Sequence, residues 1–198
     1  MPNETAVRET HDADDAERVF RLDNEELAFR YTATLSNRAG ANPFERVSTP
    51  ERLRMWLSAN HLDPGRDATN EDLAAAVALR EAIYQIGFAT ASDSARSVTD
   101  TATLNAAAAA APPAPELTDS GMAWRVTDTD DPVRAALAVI AGDAIRLFGS
   151  DDADRIKTCD GIDCAGLYLD TSRGGNRRWC SMNTCGNKNK KTRMRTRS

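Results

Sequence analysis

Four cysteines constrain this chain more than any other feature. All of them lie towards the C-terminus, at Cys159, Cys164, Cys180 and Cys185, with four residues inside each pair and fifteen between the pairs. Each short pair folds into a tight turn that points two sulfurs at one place, and two such pairs make the tetrahedral four-thiolate site that suits zinc. Two duller readings stand beside it. Two disulfides suit an oxidising compartment, but the N-terminal run MPNETAVRETHDADDAE lacks the apolar character of a cleaved export signal. Four unrelated buried thiols leave the paired clustering of every cysteine unexplained. A zinc held by four thiolates keeps no open position for water, so such an ion is structural. The segment around it is too short to bury a core of its own, so metal binding supplies most of its folding free energy.

Between the pairs, Gly166 to Asp170 reads as a short strand, Ser172 to Asn176 as a turn and Arg177 to Cys180 as a second short run. Together they predict a β-hairpin with a glycine turn. After Cys185 the chain is polar, basic and free of proline, which predicts a helix.

The charge distribution adds a partner. Residues 155–198 hold eleven basic against three acidic side chains, a net of +8, while the other 154 residues hold fourteen against twenty-seven, a net of −13. Zinc with four thiolates carries about −2, which leaves the module at about +6. Such asymmetry points to a basic module that meets a polyanion. The candidate phosphate contacts are Arg173, Arg177 and Arg178 around the hairpin turn, and Lys188, Lys190, Lys191, Arg193, Arg195 and Arg197 after the last cysteine. Phosphate contacts of this kind give affinity without sequence choice. The alternative is a protein-interaction module, in which the basic finger docks an acidic partner or its own helical domain.

The rest of the chain predicts a mainly α fold. Residues 1–19 are polar and acidic and are expected to form a disordered arm. Residues 20–150 carry about five helical patterns: Glu25–Asn37; one opened by Thr49-Pro50; one opened by Thr69 and running to about Ala89; Thr99–Ala111; and one opened by Asp131-Pro132 and running to Phe148. Leu117 to Thr127 is expected to make a small hairpin, and Asp151 to Ile156 a short linking helix into the zinc module at 151–198. Arg80 and Glu81 offer ion pairs or the lining of a small pocket, but solvated or paired surface charges are the expectation. No phosphate-binding glycine loop and no Ser/His/Asp set is found, and both histidines, His11 and His61, stand in unpromising places. The sequence thus gives no positive sign of an enzyme. No apolar run approaches the ~20 residues that span a bilayer, so a cytoplasmic protein without membrane partners is expected.

At this point the residues resemble a known family. Thr158-Cys159-x4-Cys164-Ala-Gly-Leu-Tyr-Leu-Asp170, followed by Arg-Arg-Trp-Cys180-Ser-Met-x2-Cys185-Gly-Asn, is similar to the CGNR-type zinc finger of bacterial proteins. The likeness covers about Arg155 to Arg197. Here the naming motif reads Cys185-Gly186-Asn187-Lys188, which keeps the charge of the usual Arg but not its bidentate fork. Residues 20–150 resemble the helical ABATE domain that accompanies this finger, at Thr49-Pro-Glu-Arg-Leu53, at Leu79-Arg-Glu-Ala-Ile83 and at Trp124 before the Asp-Pro helix. The resemblance implies a stress-responsive transcription regulator. Its finger, with one structural Zn2+, would bind double-stranded DNA. Its helical domain would serve sensing of a small-molecule effector or assembly, with a homodimer as an attractive state.

Overall fold

The computed structural model describes residues 19–119, 121–126 and 130–195. The expected arm lies outside the described residues except for Val19, and so do Arg197 and the side chains of Arg193 and Arg195.

The helices begin where their caps are written. Helix α1 spans Leu27–Thr32, α2 Pro50–Ala59, α3 Asn70–Ala91, α4 Val98–Ala108 and α5 Pro132–Phe148. The Thr49 hydroxyl accepts the Arg52 amide and Pro50 takes the first position of α2. Thr69 and Asp72 form a reciprocal capping box at α3, and Asp131 caps α5 by accepting the Arg134 amide. Each such cap satisfies amides that the helix itself leaves orphaned, for about 1 kcal/mol. Arg66 ties two of these starts together, pairing with Asp72 at 2.8 Å and Asp131 at 3.1 Å.

One helix is much shorter than its pattern predicts. The run from Glu25 to Asn37 is helical only over Leu27–Thr32. The Thr32 and Thr34 hydroxyls donate to the carbonyls of Phe29 and Tyr31, and such side-chain bonds compete with continued helix. The chain then turns into strand β1, Leu35–Ser36, which pairs antiparallel with β2, Phe44–Glu45. The fourth helix ends at Ala108 rather than Ala111, ahead of Pro112-Pro113. The expected small hairpin forms between β3, Ala114–Thr118, and β4, Gly121–Arg125, with Thr118 opposite Gly121. Gly121 has φ +115°, which disfavours any other residue at that corner.

Phe29, Tyr31, Leu53, Trp56, Leu57, Leu79, Ile83, Ile140 and Leu147 are fully or almost fully buried in one core. Tyr31 packs on Trp56 at 4.8 Å and donates to the Ala76 carbonyl. Arg80 is a correction to the surface expectation. It is 3 % exposed, reaching Glu45 at 2.7 Å, Glu81 at 2.8 Å and the Thr34 hydroxyl. Arg38 grips Glu81 with both terminal nitrogens and lies 3.9 Å from the centre of the Tyr84 ring. These ion pairs latch the β1–β2 ribbon onto α3.

The link between the two modules is a 3-10 turn, Asp151–Arg155. It leads into β5, Ile156–Thr158, which pairs antiparallel with β6, Leu167–Leu169. This corrects the hairpin expected between Gly166–Asp170 and Arg177–Cys180. The strand at 167–169 is right, but its partner lies upstream, because Ile156 and Leu167 both enter the core of the helical domain. The loop between β5 and β6 therefore carries the first cysteine pair. A π-turn, Met182–Gly186, and helix α6, Asn187–Arg195, complete the described chain.

Candidate metal centre and nucleic-acid face

The two cysteine turns converge by different means. The first leaves β5 at Cys159, whose amide bonds the Gly166 carbonyl, and closes through the Cys164 amide to Gly161. Asp163 and Ala165 take left-handed φ values of 65° and 49°. A Cβ at Gly161 would lie 3.1 Å from Cys185 Cβ and 3.2 Å from the sulfurs of Cys159 and Cys185, so glycine there lets the two turns meet. The second turn begins at Ser181, whose hydroxyl accepts the Thr184 amide, and winds through the π-turn to place Cys185 under the start of α6.

All four sulfurs lie within 4.8 Å of one another, and all four side chains are buried. Cys180 Sγ is 3.7 Å from both Cys164 Sγ and Cys185 Sγ. A tetrahedron with zinc–sulfur bonds of about 2.3 Å has sulfur–sulfur edges of about 3.8 Å, whereas a disulfide requires about 2.05 Å. The spacing is that of four ligands around one ion, and the donor set fits one structural zinc. The Gly161 and Cys180 amides both donate to Cys159 Sγ at 3.3 Å, the expected outer support for a thiolate ligand. Hydrogen bonding among the four thiols splits them, pushing Cys164 and Cys185 down and Cys159 and Cys180 up, as expected of sulfurs that share protons at close range.

Two features missed by the sequence reading complete the centre. The first is Arg21, 159 residues before the cysteine it touches. Its guanidinium donates to Cys180 Sγ at 3.4 Å and to the Thr184 hydroxyl at 2.7 Å. A cation there offsets the surplus negative charge of four thiolates. Nothing local in the sequence marks it. The second is Asp170, fully buried beneath the glycine turn. It accepts from Lys157 Nζ at 2.7 Å, from the amide and hydroxyl of Ser172, and from the Arg177 amide. Burial alone would raise its pKa, but these donors, Lys157 foremost, hold it well below the usual carboxylate range. The Asp170-Thr-Ser172 run is a recognisable turn signature, so this site was legible in principle.

The finger is seated on the helical domain through its own backbone carbonyls. Asn24 donates to the Leu167 carbonyl, Tyr84 to the Ala165 carbonyl, and the Ala39 amide to the Asp163 carbonyl. Leu167 fills a notch at Gly87, where a Cβ would stand 2.4 Å from Leu167 Cδ1.

The basic candidates divide. Arg177 is half-buried. It donates to the carbonyls of Trp179 and Cys180 and its guanidinium lies 5.0 Å from the Tyr168 ring centre, so it builds the second turn. Arg178 is exposed, meets Asp160 at 2.8 Å and lies over Trp179. Arg173, Lys188, Lys190 and Lys191 are exposed, with Lys188 3.9 Å from Asp163. The three lysines stand on α6, which issues directly from the π-turn that holds Cys185.

The comparisons with known proteins agree with this geometry. None of the curated proteins compared with the chain matches it. A family model described as "ABATE: Putative stress-induced transcription regulator" matches residues 25–151, more than half of the chain. The model of the CGNR zinc finger matches residues 155–198. The helical domain and the four-cysteine centre fall within these two matches in turn, and the chain belongs to the ABATE family, with a CGNR zinc finger following the helical domain.

Proposed function

We propose that the chain is a DNA-binding transcription regulator in which zinc orders the finger, the finger meets the DNA backbone, and the helical domain modulates it. The observation that carries this reading is the placement of Lys188, Lys190 and Lys191. They are exposed on a helix whose first turn is fixed by a metal ligand, in a segment of net +8. Ammonium groups held on a rigid support make phosphate contacts that release counterions. Arg173 and Arg178 extend the same charge to the glycine turn. Arg177 serves the surface indirectly, by shaping the turn that carries its neighbours.

Base reading would come from groups beside this basic surface. Lys188 offers a point charge where the motif usually has a planar fork, so a bidentate guanine contact is not made from that position. A zinc centre of four reduced thiols belongs in a reducing compartment, in keeping with a cytoplasmic protein. A homodimer would double the footprint on DNA, and an effector would act through the helical domain on the Leu167 seat.

A salt titration of binding to mixed-sequence duplex tests the reading. The logarithm of the association constant falls linearly with the logarithm of salt, by about 0.9 per phosphate neutralised. Replacing Lys188, Lys190 and Lys191 by Gln lowers that slope by about 2 to 3. Salt-insensitive binding, or none at low salt, moves the basic finger to a protein partner instead.

A further inference from the structure

The place where the chain enters the described structure is set against the finger. The Val19 carbonyl accepts from Arg46, and two residues later Arg21 donates to the Thr184 hydroxyl and to Cys180 Sγ. Thr184 belongs to the π-turn from which α6 emerges. Val19, to which residues 1–18 are covalently joined, is therefore only two residues from a side chain bound at the root of the basic helix, although the two segments lie at opposite ends of the sequence.

The charges of the two segments are opposite. Residues 1–18 hold Glu4, Glu9, Asp12, Asp14, Asp15 and Glu17 against Arg8 and Arg18. Four of those acids fall within 12–17, the stretch next to the tether. From Gly186 to Ser198 there are six basic side chains and no acidic one. Lys188, Lys190 and Lys191 among them are exposed.

The distances permit a meeting. Six residues separate Asp15 from Arg21, a reach of about 20 Å in extended chain. Lys188 to Lys191 lie four to seven residues beyond Thr184, about 6 to 11 Å along a helix. A segment so tethered sees its target at an effective concentration of about a millimolar or more.

We propose that the acidic N-terminal segment, with Asp12, Asp14, Asp15 and Glu17, docks on the exposed lysines of α6 and competes there with nucleic acid. The docking stands on tether, reach and charge. The competition rests on the DNA-binding reading above. Duplex DNA displaces the segment by its higher charge density, so the segment sets a threshold that weak, non-specific sites do not cross.

Carbodiimide coupling tests the docking without any DNA. The chain has only four lysines, Lys157, Lys188, Lys190 and Lys191, and Lys157 is engaged by Asp170. In the dilute, zinc-loaded full chain at low salt, amide links are expected from Asp12, Asp14, Asp15 or Glu17 to Lys188, Lys190 or Lys191. They should vanish at about 0.5 M salt, where screening is within a few ångströms. Absence of these links at low salt overturns the docking.

The competition is read on a full-length variant with Asp12→Asn, Asp14→Asn, Asp15→Asn and Glu17→Gln. It is expected to bind mixed-sequence duplex about tenfold more tightly than the parent at low salt. Links with unchanged affinity overturn the competition and keep the docking. If neither protein binds duplex, the DNA reading and the competition both fail, and the coupling result alone decides the docking.

Discussion

The helical domain and the finger solve the same problem with different resources. In the helical domain, side chains such as Trp56, Leu57, Ile83 and Ile140 are removed from water against one another, at about 25 cal/mol per Å² of apolar area. The second half of the finger has little to bury. Tyr168 and the partly buried Trp179 are the aromatics that pack with its four cysteines. Its order comes from ligand bonds, from the Asp170 hub and from Arg177 on two carbonyls. The difference does not run along the module boundary. Hairpin β5–β6 belongs to the finger by sequence, yet Ile156 and Leu167 belong to the core of the helical domain. The line between packing-held and metal-held structure therefore falls inside the finger.

The largest effect should come from the metal. Structural zinc in small modules is worth about 10–16 kcal/mol of apparent binding energy. A Cys180→Ser, Cys185→Ser variant is expected to lose protection from hydrogen exchange over 171–195. The amides of 156–158 and 167–169, and the helices α1 to α5, should stay protected. Loss of protection across β5–β6 as well would place the boundary at the module junction instead.

Asp170→Ala comes next. It removes the buried acceptor of a partly exposed ammonium, two amides and a hydroxyl, and should cost about 3 kcal/mol. The loss should appear as weaker zinc retention against a chelator, with the thermal transition of the helical domain nearly unchanged.

The seat between the regions gives a coupled pair. Gly87→Ala drives a methyl into Leu167 and should cost about 1–3 kcal/mol. Leu167→Ala leaves a cavity and should cost about 2–5 kcal/mol. Combined, the two should cost less than their sum, because the shortened side chain gives room to the new methyl. Strict additivity in denaturant melts would show that the contact does not couple the regions.

The smallest effect belongs to Lys188→Arg, which restores the fork of the family motif. Stability should change by less than about 0.5 kcal/mol, while affinity for duplex should rise modestly.

What was legible in the sequence follows the same division. Caps at Thr49, Thr69 and Asp131 mark helix starts because their chemistry is local. Cysteine spacing marks the metal because both halves of the site are short turns. The β5 partner of β6 was missed because two apolar side chains, Ile156 and Leu167, find a core built by residues far away in sequence. Arg80 was read as a surface charge for the same reason, since Glu45 and Thr34 come to it from the β1–β2 ribbon. Arg21 carries no local sign at all. Its role depends on the fold returning the N-terminal segment to the metal centre.

On the proposed reading, zinc holds in place the basic surface that would meet DNA. The most direct test is duplex binding by the same preparation before zinc removal, after it and after zinc is restored, with the helical circular-dichroism signal followed throughout. Salt-steep binding should disappear with the metal and return with it, while most of the helical signal persists. Undiminished duplex binding by the zinc-free protein would contradict the reading.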